Sequence, residues 1–341
     1  MMRLILIACF LWLQVLHPAA ALAGPTLDLV RANGVVRCGV SGDMPGFSRQ
    51  DEAGLWQGFE IDFCRAVATA ALGQADKVAF VPVTSASRFP LLLAGKIDLL
   101  LRNTTYTFER EAAIGVRFTG IYYYDGQAFM VPRTSGIHRL ADLSGATICL
   151  ARRTTHEINL GDYFHQQGWS FTPMPVDTLQ VLRDNFFQGR CQALTADRAE
   201  LFGIRTLASG GPEEYVILPE TISKEPLGPV VRKDDEAWLT LTKWVLYALI
   251  EAEERGITQA NVRTLVETSP DPGLRRFLAS DGLPEKALGL KPGWVVRVIE
   301  AVGNYSEVYE RHLGTKSEIK LDRGLNRLWT QGGLLYAPPF R

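Results

Sequence analysis

The chain has almost no surplus charge. Its 36 Lys and Arg stand against 37 Asp and Glu, a net charge of -1 over 341 residues. Without a general positive field it has nothing to draw in nucleic acid or an anionic membrane surface, so a nucleic-acid partner is not expected. Enzyme signatures are also missing. There is no Gly-x-Ser-x-Gly, no P-loop, no Gly-x-Gly-x-x-Gly and no His-Glu-x-x-His. His156-Glu157 begins like the last of these, but the second His is absent. Cys-x-x-Cys does not occur and the histidines are scattered, so neither a structural metal nor a cofactor is expected. A pair of catalytic carboxylates could lie anywhere among the 37 acidic residues, so that possibility has no sequence test.

What is present suits a packed globular protein. Apolar residues make up 47% and charged residues 21%, which excludes disorder over most of the chain, and the length suggests two domains. The N-terminus reads as an export signal. Arg3 supplies the positive region, Leu4 to Leu16 is apolar apart from Gln14, and Ala21-Leu22-Ala23 resembles a cleavage site. Residues 1–23 are therefore expected to be a cleaved signal peptide. The apolar run is shorter than the roughly 20 residues that span a bilayer, and no later run is long enough. Leu6-Ile7-Ala8-Cys9 imitates an acylation box, but Cys9 follows Arg3 too closely to leave room for an apolar region. Setting Cys9 aside leaves Cys38, Cys64, Cys149 and Cys191, an even set with three possible pairings in an oxidising compartment.

The patterning predicts strands over 35–40, 78–83 and 97–101, with helices over 59–72, 89–93 and 107–113. Thr107 is the expected N-cap of the last helix, with Glu109 and Glu111 in its first turn. The same order returns with strands at 146–150, 171–176 and 191–195 and helices at 154–164 and 179–188. The first of those helices is expected to open with a Thr154/Glu157 capping box. A strand over 228–232 and a long helix over 235–254 follow, then short helices to the end. Alternating strands and helices imply parallel sheets covered by helices, with ligands bound beyond the carboxyl ends of the strands. The first block places Arg102-Asn103-Thr104-Thr105 there, followed by a helix N-terminus carrying Arg110. The second places Thr154-Thr155-His156 and then Thr195-Ala196-Asp197. Donors to an anion on one side and an acid on the other would suit a zwitterion. On spacing alone, Arg110 reads first as a solvated helix residue and Asp197 first as an N-cap.

Several segments together resemble a known family: RCGVSGDMPGF, GFEIDFCRAVA, GKIDLLLRNTTYTFER, FTGIYYYDGQAFMV, TTHEINLGDYF, GRCQALTADRAEL and the closing GGLLYAPPFR. It is the periplasmic substrate-binding component of general L-amino-acid ABC importers, and the resemblance covers nearly all of the mature chain. It implies a two-lobed α/β fold with the ligand cleft between lobes and two crossovers. One lobe would take residues 24–124 and 228–341, the other 125–227. It implies that Arg110 clamps a ligand carboxylate with the Thr105 hydroxyl and the Thr105 and Thr155 N–H groups. Asp197 would hold the ammonium near the Asn103 carbonyl, and Ser41, Met44 and Ser85 would line the side-chain end. The partners implied are an L-amino acid and inner-membrane permease subunits, with the receptor acting as a monomer.

The sequence departs from the family at Ala151-Arg152-Arg153, at His156 and at Gln192. Arg152 and Arg153 read as surface drift or as a cationic rim favouring acidic ligands. His156 reads as a solvated helix residue or as part of the site. The competing classes are an exported dehydratase-like enzyme on the same fold, for which His156 is the obvious acid or base, and a sensor subunit. On this fold each disulfide should fall within one lobe, pairing Cys38 with Cys64 and Cys149 with Cys191.

Overall fold

The structure is a computed structural model that describes residues 25–233, 235–279 and 282–340. The expected signal peptide over residues 1–23 lies outside the described residues. Two five-stranded sheets form the framework. The first runs in the order Val78–Pro82, Val36–Val40, Leu99–Leu100, Val230–Arg232, Val116–Phe118. Its first three strands are parallel, and Val230–Arg232 is antiparallel to both neighbours. The second runs Thr172–Val176, Thr147–Ala151, Ala193–Asp197, Gln127–Pro132, Tyr215–Ile217, with the same change of direction after three parallel strands.

The chain passes between the sheets twice. Tyr123–Asp125 leads out of the first and Glu225–Leu227 leads back, and these two segments pair antiparallel with Asp125 opposite Glu225. Val230–Arg232 then completes the first sheet, so both sheets hang from a two-stranded connection. No helix among the described residues is long and apolar enough to cross a membrane.

The helix Phe59–Leu72 matches its expected bounds because its start and stop are local. Gly58 enters with φ 134°, where an added Cβ would lie 2.1 Å from the Phe47 carbonyl oxygen. Gly73 leaves in the left-handed region and donates to the Thr69 carbonyl. One face of the helix is joined to the first strand by the Cys38–Cys64 disulfide, and the other packs on Trp294–Val302. The second disulfide joins Cys149 on Thr147–Ala151 to Cys191. Cys191 lies just ahead of its strand, which runs Ala193–Asp197 instead of the expected 191–195. Pairing begins only where Ala193 meets Ile148, and Gln192 spends its N–H and its side-chain oxygen on Thr147.

The C-terminal segment packs on the first sheet's helices and grips the first crossover. Tyr305 donates to the Tyr122 carbonyl at 2.8 Å. The Asn326 amide closes a two-bond ring with the backbone of Tyr124, at 2.7 and 3.0 Å. Tyr122 stacks on Phe59 and Tyr123 on Tyr309, so the tyrosine run is packing material.

Candidate functional site

The strand Leu99–Leu100 ends at a turn that carries four polar residues into the gap between the sheets. Asn103 sits at φ 37°, an uncommon conformation for a residue with a side chain. Its N–H donates to buried Glu60 at 2.7 Å, which holds the turn in place. The helix Phe108–Ala113 follows, and Thr107 caps it by accepting from the Arg110 N–H, as its sequence suggests. That cap turns the Arg110 side chain inward. Arg110 is 8% exposed and its guanidinium donates to the Thr105 carbonyl at 2.6 Å. The reading of Arg110 as a solvated helix residue is therefore wrong.

The second sheet brings up the facing wall. The helix Thr155–Gln167 starts at its rim, with His156 on the inner face. The expected capping box does not form: Thr154 donates to the Ala151 carbonyl, and Glu157 accepts from the Arg153 N–H. His156 is 6% exposed, against its reading as solvated, and its Nε2 lies 2.9 Å from Asp197 Oδ1. Asp197 stands at the N-cap position of Arg198–Arg205 but does not cap it. Asp125, on the crossover, accepts the Ala199 N–H instead, which leaves the Asp197 carboxylate for the cavity.

These residues enclose one cavity, lined by Ser85, Arg88, Arg102, Asn103, Thr105 and Arg110 from one side. From the other come Thr154, Thr155, His156, Asp197 and Glu200. The walls stand close, leaving about 20 Å³ open to the centre of a water molecule. Thr105 and Thr155 approach to 3.4 Å across the gap, and Arg183 reaches over to Asp43 at 2.6 Å.

The structure thus gathers Arg110, Thr105, Asn103, Thr155, Asp197, Ser85 and His156 at one place. It does not bring Ser41 or Met44 there. The short hairpin of Asp43–Met44 with Ser48–Gln50 folds Met44 into the core, and the Ser41 N–H donates to Ser48. Arg152 and Arg153 are exposed and outside the lining, and the Arg152 Nε donates to the Pro175 carbonyl. Sequence reasoning missed Arg88, Glu200 and above all Glu225. Glu225 accepts from Thr105, Thr155, Asn159 and Ser223, at 2.6 to 2.8 Å. It ties both walls to the crossover, and a lone acid in a connecting segment gives no sequence signal of that. The Thr105 hydroxyl proton is committed to it, so Thr105 offers a ligand its N–H and the remaining lone pair.

Burial governs the charges here. It lowers Arg88, Arg102 and Arg110 from the usual guanidinium value, most strongly for Arg88, whose neighbours Arg110 and Arg102 add repulsion. Burial pulls His156 down, but Asp197 outweighs it and the ring is held above its ordinary value. Burial, then the Asp197 charge, pushes Glu200 up to about 7. Both side-chain amide atoms of Asn103 and the Nδ1 of His156 are buried without a hydrogen-bond partner among the described residues. His156, Asp197 and Glu225 have the ligand types of a metal site. The two carboxylates, however, already serve the imidazole and four donors. In sum, the cavity offers cationic forks on one wall and carboxylates on the other, with room to open between two sheets joined by paired strands.

That arrangement defines a class: two-lobed receptors that enclose a small polar solute. The sequence profile of the bacterial extracellular solute-binding proteins, family 3, matches residues 36–260, and the chain belongs to that family. It is 45% identical over 325 residues, 95% of each chain, to the general L-amino acid-binding periplasmic protein AapJ of Rhizobium johnstonii. It is 43% identical over 323 residues to the glutamate/glutamine/aspartate/asparagine-binding protein BztA of Rhodobacter capsulatus, again 95% of each chain. Among solved structures it resembles an ABC transporter periplasmic binding protein from Brucella ovis with glutathione bound. The TM-score is 0.90 at 42% identity, over 93% of this chain and 99% of that one.

Proposed function

We propose that the protein captures an L-amino acid in the periplasm and delivers it to the permease of an ABC importer. The observation that carries this is the opposition of Arg110 and Asp197 across a closed, desolvated cavity. A zwitterion satisfies both walls at once, and neither wall alone satisfies a zwitterion. The α-carboxylate lies against Arg110 and the N–H groups of Thr105 and Thr155. The ammonium lies against the free oxygen of Asp197. The names of the relatives, several of them amino-acid-binding components of transporters, support the same reading.

The lobes in this reading are residues 24–124 with 228–341, and residues 125–227. They swing about the paired crossover strands, opening to admit the ligand and closing to exclude water. Capture involves no covalent step. His156, the acid or base that the sequence offers, is occupied in holding Asp197. Incubation with the twenty L-amino acids, read by calorimetry for binding and by mass spectrometry for conversion, tests this. One-to-one binding with every ligand recovered unchanged is expected. Turnover of any amino acid would overturn the reading.

A further inference from the structure

A second cavity lies mostly beyond residue 260, where the match to the family profile ends. It opens where the helices Pro272–Ala279, Leu283–Leu288 and Trp294–Val302 meet the long helix Glu236–Glu254 and Phe340. It shares no residue with the cavity between the lobes. About 940 Å³ is open to the centre of a water molecule, against about 20 Å³ between the lobes. That is ample for a small-molecule ligand. The apolar wall comes from Leu241, Trp244, Phe277, Leu283, Trp294 and Phe340, and Phe340 meets both Trp244 and Phe277 edge-on at 4.8 Å. The helix Leu283–Leu288 borders the space without filling it. Leu283 and Ala287, four residues apart, both line the cavity. Arg31 holds the far end of this helix, donating to the Leu288 and Gly289 carbonyls at 2.6 and 2.8 Å, while Leu283 at the near end is 84% exposed. Water wets such a wall poorly, and an apolar cavity of this kind takes apolar guests.

The polar groups in the same wall are mostly donors. Arg275 and Arg276 are exposed, and among the described residues no carboxylate stands within ion-pair distance of either. The acids of the adjoining groove are engaged elsewhere, Glu251 with Arg255 at 2.7 Å and Glu254 with the Trp329 indole at 3.2 Å. The one carboxylate in the lining, Glu285, is buried and accepts from the Gly282 N–H at 3.0 Å, closing its own helix. The indole N–H groups of Trp244 and Trp294 make no hydrogen bond among the described residues. We propose that this cavity is a second binding site, independent of the amino-acid site, for a single-chain amphiphile with a carboxylate head, a free fatty acid in chemical class. The chain covers the aromatic and leucine wall, and the head meets the two guanidinium forks. A cationic head would face two unpaired arginines, and a neutral chain would leave them as they are.

The test titrates the mature protein with cis-parinarate, a fluorescent fatty acid, read by energy transfer from tryptophan. The probe is then displaced by laurate or by dodecyltrimethylammonium, all below micelle-forming concentrations. Saturable one-to-one binding is expected, with laurate about tenfold or more tighter than the cation of equal chain length. Arg275→Ala/Arg276→Ala should weaken laurate about two- to thirtyfold, the range for two exposed charge pairs, and leave the cation no weaker. Ala287→Trp puts an indole into the space of several methylenes and should weaken laurate about tenfold or more. Neither variant should change the affinity for amino acids. Absence of saturable binding, a cation that binds as tightly as laurate, or laurate affinity untouched by Ala287→Trp overturns the proposal. So does binding seen only to phosphatidylglycerol vesicles, which would make this face a membrane contact. If Ala287→Trp does not fold, the parent's preference for laurate over the cation and the double arginine variant decide.

Discussion

Closure of the two lobes can be obstructed at one atom. Gly203 lies on the helix Arg198–Arg205 of the second lobe and faces Pro45 in the first. A Cβ added there would lie 2.7 Å from the Pro45 carbonyl oxygen and 3.4 Å from its Cβ. Backbone cannot swing aside as a side-chain tip can, so in Gly203→Ala the helix must retreat from the first lobe. Overpacking of this kind costs about 1–3 kcal/mol. In the open form the new methyl has no such neighbour, and alanine favours the helix itself. The penalty therefore falls on the closed state alone. The apparent affinity should weaken by about 5- to 150-fold, with unfolding of the variant unchanged or slightly later. Isothermal titration reads the affinity, and small-angle scattering of the liganded protein reads the closure. Unaltered affinity with a fully compact liganded form would refute the idea that ligand capture requires these surfaces to meet.

Other consequences follow from the same geometry. Arg110→Ala should weaken amino-acid binding by about 2–5 kcal/mol, since a buried carboxylate would be left unpaired, and affinity within twofold of the parent would remove Arg110 from the site. Glu200 is raised from the ordinary 4.5 to about 7, so the folded state keeps a proton that the unfolded chain releases between those values. Stability from this group is thus lost as pH climbs through that window. Glu200→Gln should match the parent near pH 4.5 and exceed it by up to about 3 kcal/mol at pH 8, checked by urea unfolding at both. A constant difference would contradict this. The disulfides close loops of 26 and 42 residues. In the chain-entropy model their loss costs about 3.5 and about 4 kcal/mol, so reduction should lower the urea midpoint, and unreduced peptide mapping should recover only within-lobe pairs.

The sequence was most legible where the signals are local. The Phe59–Leu72 helix is bracketed by Gly58 and Gly73, and Thr107 caps its helix through a bond three residues away. The alternation of strands and helices gave both sheets, because each parallel pair needs a covering crossover. What escaped depends on partners distant in the chain. Thr105 meets Glu225 across 120 residues, and His156 meets Asp197 across 41. The N-cap role open to Asp197 passes to Asp125, on a crossover strand that only the tertiary fold brings near. Met44 was misplaced because a five-residue turn back to Ser48 sends it to the core, and nothing in its own neighbourhood distinguishes core from cleft. Glu157 had the spacing of a capping box, but the left-handed Arg153 offers its N–H first.

A crystal structure of the mature protein with its bound amino acid tests the central claim most directly. The account places the α-carboxylate within hydrogen-bond distance of the Arg110 guanidinium and the ammonium against Asp197, with the lobes closed as described. A ligand seated elsewhere, or one with its carboxylate turned toward Asp197, would contradict it.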